Sequence, residues 1–378
     1  MHVAVPRESV PGELRVAVVP EVLSRLQAAG IDVTVESGAG AGALYTDDAY
    51  VAAGATIAPD WDTLFEGAAL VCKVRAPSDE EAARLPEGSG LICMLQPAAD
   101  LELIKVLVAR RIGAFSLDLL PRISRAQAMD ALSSQATVTG YRAGLIAAER
   151  LPRFFPMFMT AAGTVPPAKV LVLGAGVAGL QAIATARRLG AVVRAYDVRP
   201  AAREEVKSLG AAFVELELET QEGEGGYARE QSEEFLTRQR ELIGTEVAAA
   251  DAVITTAAIP GRRAPLLVTA AMVQNMRPGS VIVDLAAETG GNCELSEPGR
   301  AIDVNGVTVY GASNLASSMS IHASFLYARN VAELSSLFVK EGAFAPDFDD
   351  EIISGTCVTF DGEVRHEATR KLLEGGNA

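Results

Sequence analysis

The chain has 378 residues, of which 49% are hydrophobic and 21% charged, and its formal net charge is −15. That length and apolar share point to two domains or a little more, each with a sizeable core. So acidic a surface repels phosphate backbones and excludes nucleic-acid binding; its acidic runs are short, such as Asp79-Glu80-Glu81, and read as solvated surface, with a basic docking partner left open.

The first residues read as a strand at 3–5 that meets a charged turn at Pro6-Arg7-Glu8, not as a signal peptide. A helix follows at 20–29, with Val22, Leu23 and Leu26 on one face and Gly30 beyond its end. Residues 31–35 read as a strand, and Thr46-Asp47-Asp48 caps a helix that stops at Gly54. Further strands are expected at 70–74, 91–95 and 114–116, with a helix at 101–110 between the last two. Such βα repeats imply a mostly parallel sheet. The four cysteines, Cys72, Cys93, Cys293 and Cys357, form no C-x-x-C pair and read as reduced thiols of a cytosolic protein. Neither they nor the three histidines, His2, His322 and His366, have metal-site spacing, so no metal is expected.

A long helix is expected at 127–149. The apolar region 157–186 is broken by Pro166, Pro167, Lys169 and several glycines, so no direct membrane insertion is expected. A second α/β region begins after the two prolines, with strands at 170–173, 192–196, 212–214, 252–255, 281–284 and 307–310.

The opening of this region carries the most information. Strand 170–173 runs into Gly174-x-Gly176-x-x-Gly179, an alanine-rich helix follows, and a second strand ends at Asp197. That order is the fingerprint of a dinucleotide-binding βαβ unit. Gly174 allows the tight turn, Gly176 lets the backbone approach a pyrophosphate, and Gly179 lets helix and strand pack closely. Val177 and Ala178 open the helix whose N-terminus faces the phosphates. Asp197 stands where a carboxylate bonds the adenosine ribose, with Val198 and Arg199 beside it. The plain alternative is a glycine-rich turn without a ligand. A carboxylate at Asp197 repels a 2′-phosphate, so NAD(H) is expected over NADP(H), although Arg199 pulls the other way.

From 217 to 234 the pattern stops. Glu222-Gly-Glu-Gly-Gly226-Tyr227 reads as an exposed insertion, either a ligand lid or a linker of no consequence. Thr256 and Ala257 follow a strand end, where dinucleotide sites lie in such sheets. Asn314 holds a comparable place after strand 307–310. Gly290-Gly291-Asn292 is either a turn or part of a nicotinamide pocket. A helix at 321–340 follows, and the short tail 349–378 completes the first domain. The expected architecture is two Rossmann-like domains with mostly parallel sheets: a discontinuous one at 1–126 plus 330–378, and a nucleotide domain at 136–315, joined by long helices at 127–150 and 316–340.

Several segments together carry a family resemblance. They are Val5-Pro-Arg-Glu-x-x-x-Gly-Glu-x-Arg15, the run from Pro121 through Arg122-Ile-Ser-Arg-Ala-Gln127-Ala-Met-Asp130 to Gln135, Met159-Thr-Ala-Ala-Gly-Thr-Val-Pro-Pro-Ala168, Gly225-Gly-Tyr-Ala228, and Asp284-Leu-Ala-Ala-Glu-Thr-Gly-Gly-Asn-Cys293. Over essentially its whole length the chain resembles the soluble NAD(H)-binding component of Re/Si-specific, proton-translocating NAD(P) transhydrogenases, with alanine dehydrogenase as a wider relative. The resemblance implies hydride transfer between NAD(H) on this chain and NADP(H) on a partner subunit. It also implies a membrane-spanning subunit that couples the transfer to proton movement, a homodimer of this component, and a cytoplasmic location on the inner-membrane face through those partners.

Hydride transfer between two nicotinamides needs aligned rings and excluded water, not a general base. Positioning groups are therefore expected, and the resemblance assigns them to Arg122, Gln127, Asp130 and Ser133, with Gln127 toward the dihydronicotinamide. Chemistry alone leaves a helix N-cap with surface polars as the alternative. Gly226 and Tyr227 match the family's closing loop. Arg15 and Lys73 match the substrate-binding and catalytic lysine positions of alanine dehydrogenase, but the place of its catalytic histidine holds Gln96, which cannot shuttle protons. An NAD(H) sensor is the third possibility; it has no need of a loop that pins the nicotinamide.

Overall fold

The computed structural model describes residues 1–215, 233–258 and 263–375. The chain divides into two compact units, 1–135 with 317–378, and 136–316.

The first unit opens with six strands: β1 (His2–Val5), β2 (Asp32–Glu36), β3 (Thr56–Ala58), β4 (Leu70–Arg75), β5 (Gly90–Met94) and β6 (Gly113–Ser116). They pair in parallel, with β1 between β2 and β4. Apolar runs such as Leu70-Val71-Cys72 are buried on both faces, as a sheet covered on both sides requires. Thr46 caps its helix as the sequence suggests, its side chain accepting from Ala49 N at 3.2 Å. Strand β3 and the helices Trp61–Phe65 and Asp79–Arg84 add to the expected elements. Three residues of β3 carry no alternation to read, but Ser78 and Glu81 form a reciprocal capping box that the sequence does display.

The second unit starts with an antiparallel hairpin, β7 (Phe158–Thr160) and β8 (Gly163–Val165). It continues through β9 (Lys169–Leu173), β10 (Val192–Tyr196), β11 (Ala212–Phe213), β12 (Ala252–Thr255), β13 (Val281–Asp284), β14 (Ala301–Val304) and β15 (Val307–Gly311). The sheet order is β11-β10-β9-β12-β13-β15-β14, and only β14 runs antiparallel. The hairpin lies outside this sheet and is apolar on its surface: Phe154, Met157, Phe158 and Val165 are exposed, and Met159 is 78% exposed. Within this unit the helix Ala131–Arg150 touches the helix Val177–Arg188 backbone to backbone. A Cβ on Gly140 would lie 2.0 Å from Ala178 O, so no other residue fits there.

The chain then completes the first unit with a second hairpin, β16 (Val339–Lys340) and β17 (Ala343–Phe344), and two edge strands, β18 (Cys357–Phe360) and β19 (Glu363–Val364). The finished sheet reads β19-β18-β6-β5-β4-β1-β2-β3. Phe115 and Phe338 stack in its core with ring centroids 4.5 Å apart. All four cysteines are buried free thiols.

The two segments expected as connecting helices divide differently. Residues 124–129 form a 3-10 turn and the α-helix starts at Ala131, because the Asp130 carboxylate caps it. The unit boundary falls inside that helix, after Gln135, whereas the helix Ser320–Ser336 belongs wholly to the first unit.

Candidate functional site

In the second sheet the strand order reverses between β9 and β12, and the turns after those two strands meet. Thr256 N donates to Leu173 O at 2.8 Å, and Thr256 Oγ1 donates to Gly174 O at 3.0 Å. Ligands of open α/β sheets bind at such a switch point, beyond the carboxyl ends of the strands.

Each of the three glycines has its own reason there. Gly174 has φ +100°, and a Cβ on it would approach Thr256 Oγ1 to 2.7 Å. A Cβ on Gly179 would lie 1.9 Å from Gly174 O, so helix and turn close only on glycine. Gly176 has nothing within 4 Å of its Cβ position, which leaves open space beside its backbone. It is the N-cap of the helix Val177–Arg188 and offers no capping side chain. The first-turn N–H groups at Val177 and Ala178 have no carbonyl one turn earlier to bond, and they carry the positive end of the helix dipole. The cradle therefore fits a dinucleotide.

Asp197, at the end of β10, is more engaged than the sequence suggests. Its carboxylate accepts from Ala175 N at 2.7 Å, from Arg199 N at 2.8 Å, and from Arg199 Nε and Nη2 at 3.0 Å each. Arg199 thus lies across the acid that is expected to repel a 2′-phosphate. Val198 is half-buried between them.

The other strand ends are organised by Asp284, which the motifs do not single out as an anchor. It is fully buried at the end of β13 and takes four hydrogen bonds. They come from Thr255 Oγ1 at 2.9 Å, Ala286 N at 2.9 Å, Cys293 N at 3.0 Å and Ser296 Oγ at 2.6 Å. Gly290 and Gly291 both have positive φ, so this stretch is a turn. Asn292 after it is buried and donates to Ala257 O and Pro265 O, both at 2.8 Å, holding the turn after β12. Asn314 has φ +44°, and its N–H donates to Glu288 Oε2 at 3.3 Å. Gly226 and Tyr227 lie outside the described residues.

The residues expected to position a nicotinamide lie on the first unit, in the loop 122–130 and the helix start after it. Arg122 and Gln127 are exposed, Gln127 on the 3-10 turn Ser124–Met129. Asp130 and Ser133 do form the N-cap that chemistry alone allows: Ser133 N donates to Asp130 Oδ1 at 2.9 Å and Ser133 Oγ to Oδ2 at 2.6 Å. This loop is braced by an ion pair, Arg125 with Asp350, at 2.7 Å.

The two halves of the chain match known domains. Residues 4–139 match the alanine dehydrogenase/PNT N-terminal domain, and residues 143–367 match the C-terminal domain. The chain belongs to the alanine dehydrogenase/PNT family. An NAD(P) transhydrogenase alpha-subunit polypeptide of Rhodospirillum rubrum is 49% identical, covering 97% of this chain and 98% of its own length. A transhydrogenase structure from Sinorhizobium meliloti superposes with a TM-score of 0.86 at 43% identity, covering 97% of this chain and all of that one. An L-alanine dehydrogenase structure gives 0.83 at 26% identity, with 99% of each chain covered. An alanine dehydrogenase/PNT member with this cradle is an NAD(H)-binding α/β protein, nearer in sequence to the transhydrogenase subunits than to the amino-acid enzyme.

Arg15, Lys73 and Gln96 are the positions at which the resemblance sets this chain against alanine dehydrogenase. Arg15 is buried and committed to Glu13, at 2.6 Å, and to Gln135 Oε1, at 2.9 Å. Lys73 is 1% exposed, with Glu81 at 3.2 Å and Glu8 at 3.7 Å. Burial pushes the Glu8 carboxyl above the usual range, against the pull of the Lys73 cation. A substrate carboxylate would have to draw both cations from these acids. Gln96 follows β5 in a left-handed conformation, φ +48°, and is exposed. Among the described residues no helix is long and apolar enough to cross a membrane.

Proposed function

We propose that this chain is the NAD(H)-binding component of a proton-translocating NAD(P) transhydrogenase of the Re/Si-specific type. Hydride passes between NADH held here and NADP⁺ held on a partner subunit, and a membrane-spanning subunit couples the transfer to proton movement. The chain is then cytoplasmic and peripheral, held to the membrane through those partners. The observation that carries the reading is the exposed Gln127 amide on a braced turn, beside a capped helix start of Asp130 and Ser133. Amides and hydroxyls orient a ring without exchanging protons with it.

In this reading the second unit holds the adenosine and pyrophosphate end. The backbone at Gly174–Gly179 takes the phosphates, Asp197 the ribose, and Thr256, Ala257 and Asn314 lie at the strand ends around them. Gly226 and Tyr227 are assigned to closure over the nucleotide. The nicotinamide supplies the hydride-bearing carbon, and Arg122, Gln127, Asp130 and Ser133 fix its orientation. Gln96 offers no acid or base for amino-acid deamination, which weighs against the alanine dehydrogenase alternative. A homodimer is supported by the exposed apolar hairpin β7–β8, since a patch of Phe154, Met157, Phe158, Met159 and Val165 invites a cover.

The test is to mix the protein with a transhydrogenase NADP-binding component and follow hydride transfer from NADH to NADP⁺. Transfer that requires both components supports the reading, and its absence with both nucleotides bound refutes it.

A further inference from the structure

One side chain clasps the segment that carries Gln127. Asn330 lies on the helix Ser320–Ser336 and is 6% exposed. Its Nδ2 donates to Ala128 O at 2.8 Å, and its Oδ1 accepts from Ser134 Oγ at 2.7 Å. Ala128 directly follows Gln127, and Ser134 directly follows Ser133. Both ends of the 128–134 stretch are therefore tied to one planar amide. Gln135 adds a neighbouring tie, donating from Nε2 to Ala323 O on the same helix at 3.0 Å.

The chemistry of the clasp is specific. Ala128 offers a carbonyl and Ser134 a hydroxyl proton, so the bridging group must present a donor and an acceptor side by side. Among short side chains only asparagine does so. Gln127 itself is exposed and gains little orientation from packing. Its place is set by the backbone, and that backbone is held by Asn330. We infer that Asn330 is a positioning residue for hydride transfer, acting through the backbone at Ala128 and the hydroxyl of Ser134. The inference rests on the reading that Gln127 aligns the nicotinamide.

Asn330→Asp keeps the acceptor for Ser134 but sets a carboxylate oxygen against Ala128 O. Ser134→Ala opens the other arm alone, and Ser134→Thr restores its hydroxyl. For each variant, single-turnover transfer from NADH to NADP⁺ on the NADP-binding component, NADH affinity and the thermal midpoint are measured. A displacement near 1 Å at reacting atoms costs on the order of 100-fold, so Asn330→Asp is expected to slow transfer ~10- to 100-fold with NADH affinity held within about twofold. Ser134→Ala is expected to be slower than wild type and Ser134→Thr to match it. Wild-type transfer by folded Asn330→Asp overturns the inference, and so does a loss of rate in the folded variant that is fully accounted for by lost NADH affinity. If Asn330→Asp does not fold, the serine pair decides: equal rates for Ser134→Ala and Ser134→Thr overturn it. Gln127→Asn separates the two layers. If it is slow while the Asn330 and Ser134 variants are not, only the clasp fails; if it too transfers at the wild-type rate, the reading of Gln127 fails and takes the clasp with it.

Discussion

Replacing Asp197 by alanine tests the nucleotide site from two directions at once. The acid is nearly buried, and Arg199 covers it through its backbone N–H and two guanidinium nitrogens at 2.8–3.0 Å. In the proposed site Asp197→Ala removes the acceptor for the adenosine ribose. Leaving a polar partner unpaired costs about 1–3 kcal/mol, so NADH binding is expected to weaken roughly 5- to 150-fold. The same change strips Arg199 of its carboxylate. A released guanidinium is the preferred partner of a phosphate, so NADPH binding is expected to strengthen in the variant. Arg199→Ala uncovers the acid and is expected to sharpen the preference for NADH. Fluorescence titrations of both nucleotides against wild type and the two single variants measure this. Equal wild-type affinity for NADH and NADPH refutes the reasoning, and so does an unchanged NADH affinity in Asp197→Ala.

Three further outcomes follow from the same structure. Gln127→Asn is expected to keep the fold and most NADH affinity while transfer to NADP⁺ falls ~100-fold; because an amide does not titrate, the wild-type transfer step is expected to be nearly flat in pH, and an ionisation that this substitution abolishes contradicts it. The purified protein is expected not to oxidise L-alanine with NAD⁺, and steady turnover at ~1 s⁻¹ or more, an ordinary dehydrogenase rate, overturns the transhydrogenase reading. Asp284→Asn puts an NH₂ group against donors that now share a carboxylate, and it is expected to cost about 1–3 kcal/mol, read as a lower urea midpoint; an unchanged midpoint shows that the four hydrogen bonds do not anchor the strand ends.

The nucleotide cradle is legible in the sequence because its logic is local. Gly174, Gly176 and Gly179 act within six residues, and the clashes a Cβ would meet at Gly174 and Gly179 are the ones the motif implies. The cap at Asp130 is also visible as a local pattern. Arg199 sits two residues from Asp197, yet its bidentate grip depends on side-chain geometry that spacing does not reveal. Asn330 is invisible for a different reason. Its partners lie 196 and 202 residues away, and nothing in a helix sequence marks an inward-facing amide as a bridge. The contact of Gly140 with Ala178 is equally hidden: an isolated glycine in a helix reads as a weakness until its neighbour is known. The helix expected from residue 127 begins only at Ala131, because the polar run before it carries no period that separates a 3-10 turn from an α-helix.

In the proposed homodimer the apolar hairpin β7–β8 would tie the robustness of this protein to its abundance. With a second copy over Phe154, Phe158 and Met159, the folded state belongs to a pair, and mass action enters its stability. Each tenfold dilution then removes about 1.4 kcal/mol per mole of dimer. A chain that withstands heating when concentrated would unfold earlier, or adhere to surfaces, when dilute. Optical titrations and crystals, which differ greatly in protein concentration, would report on different molecular species.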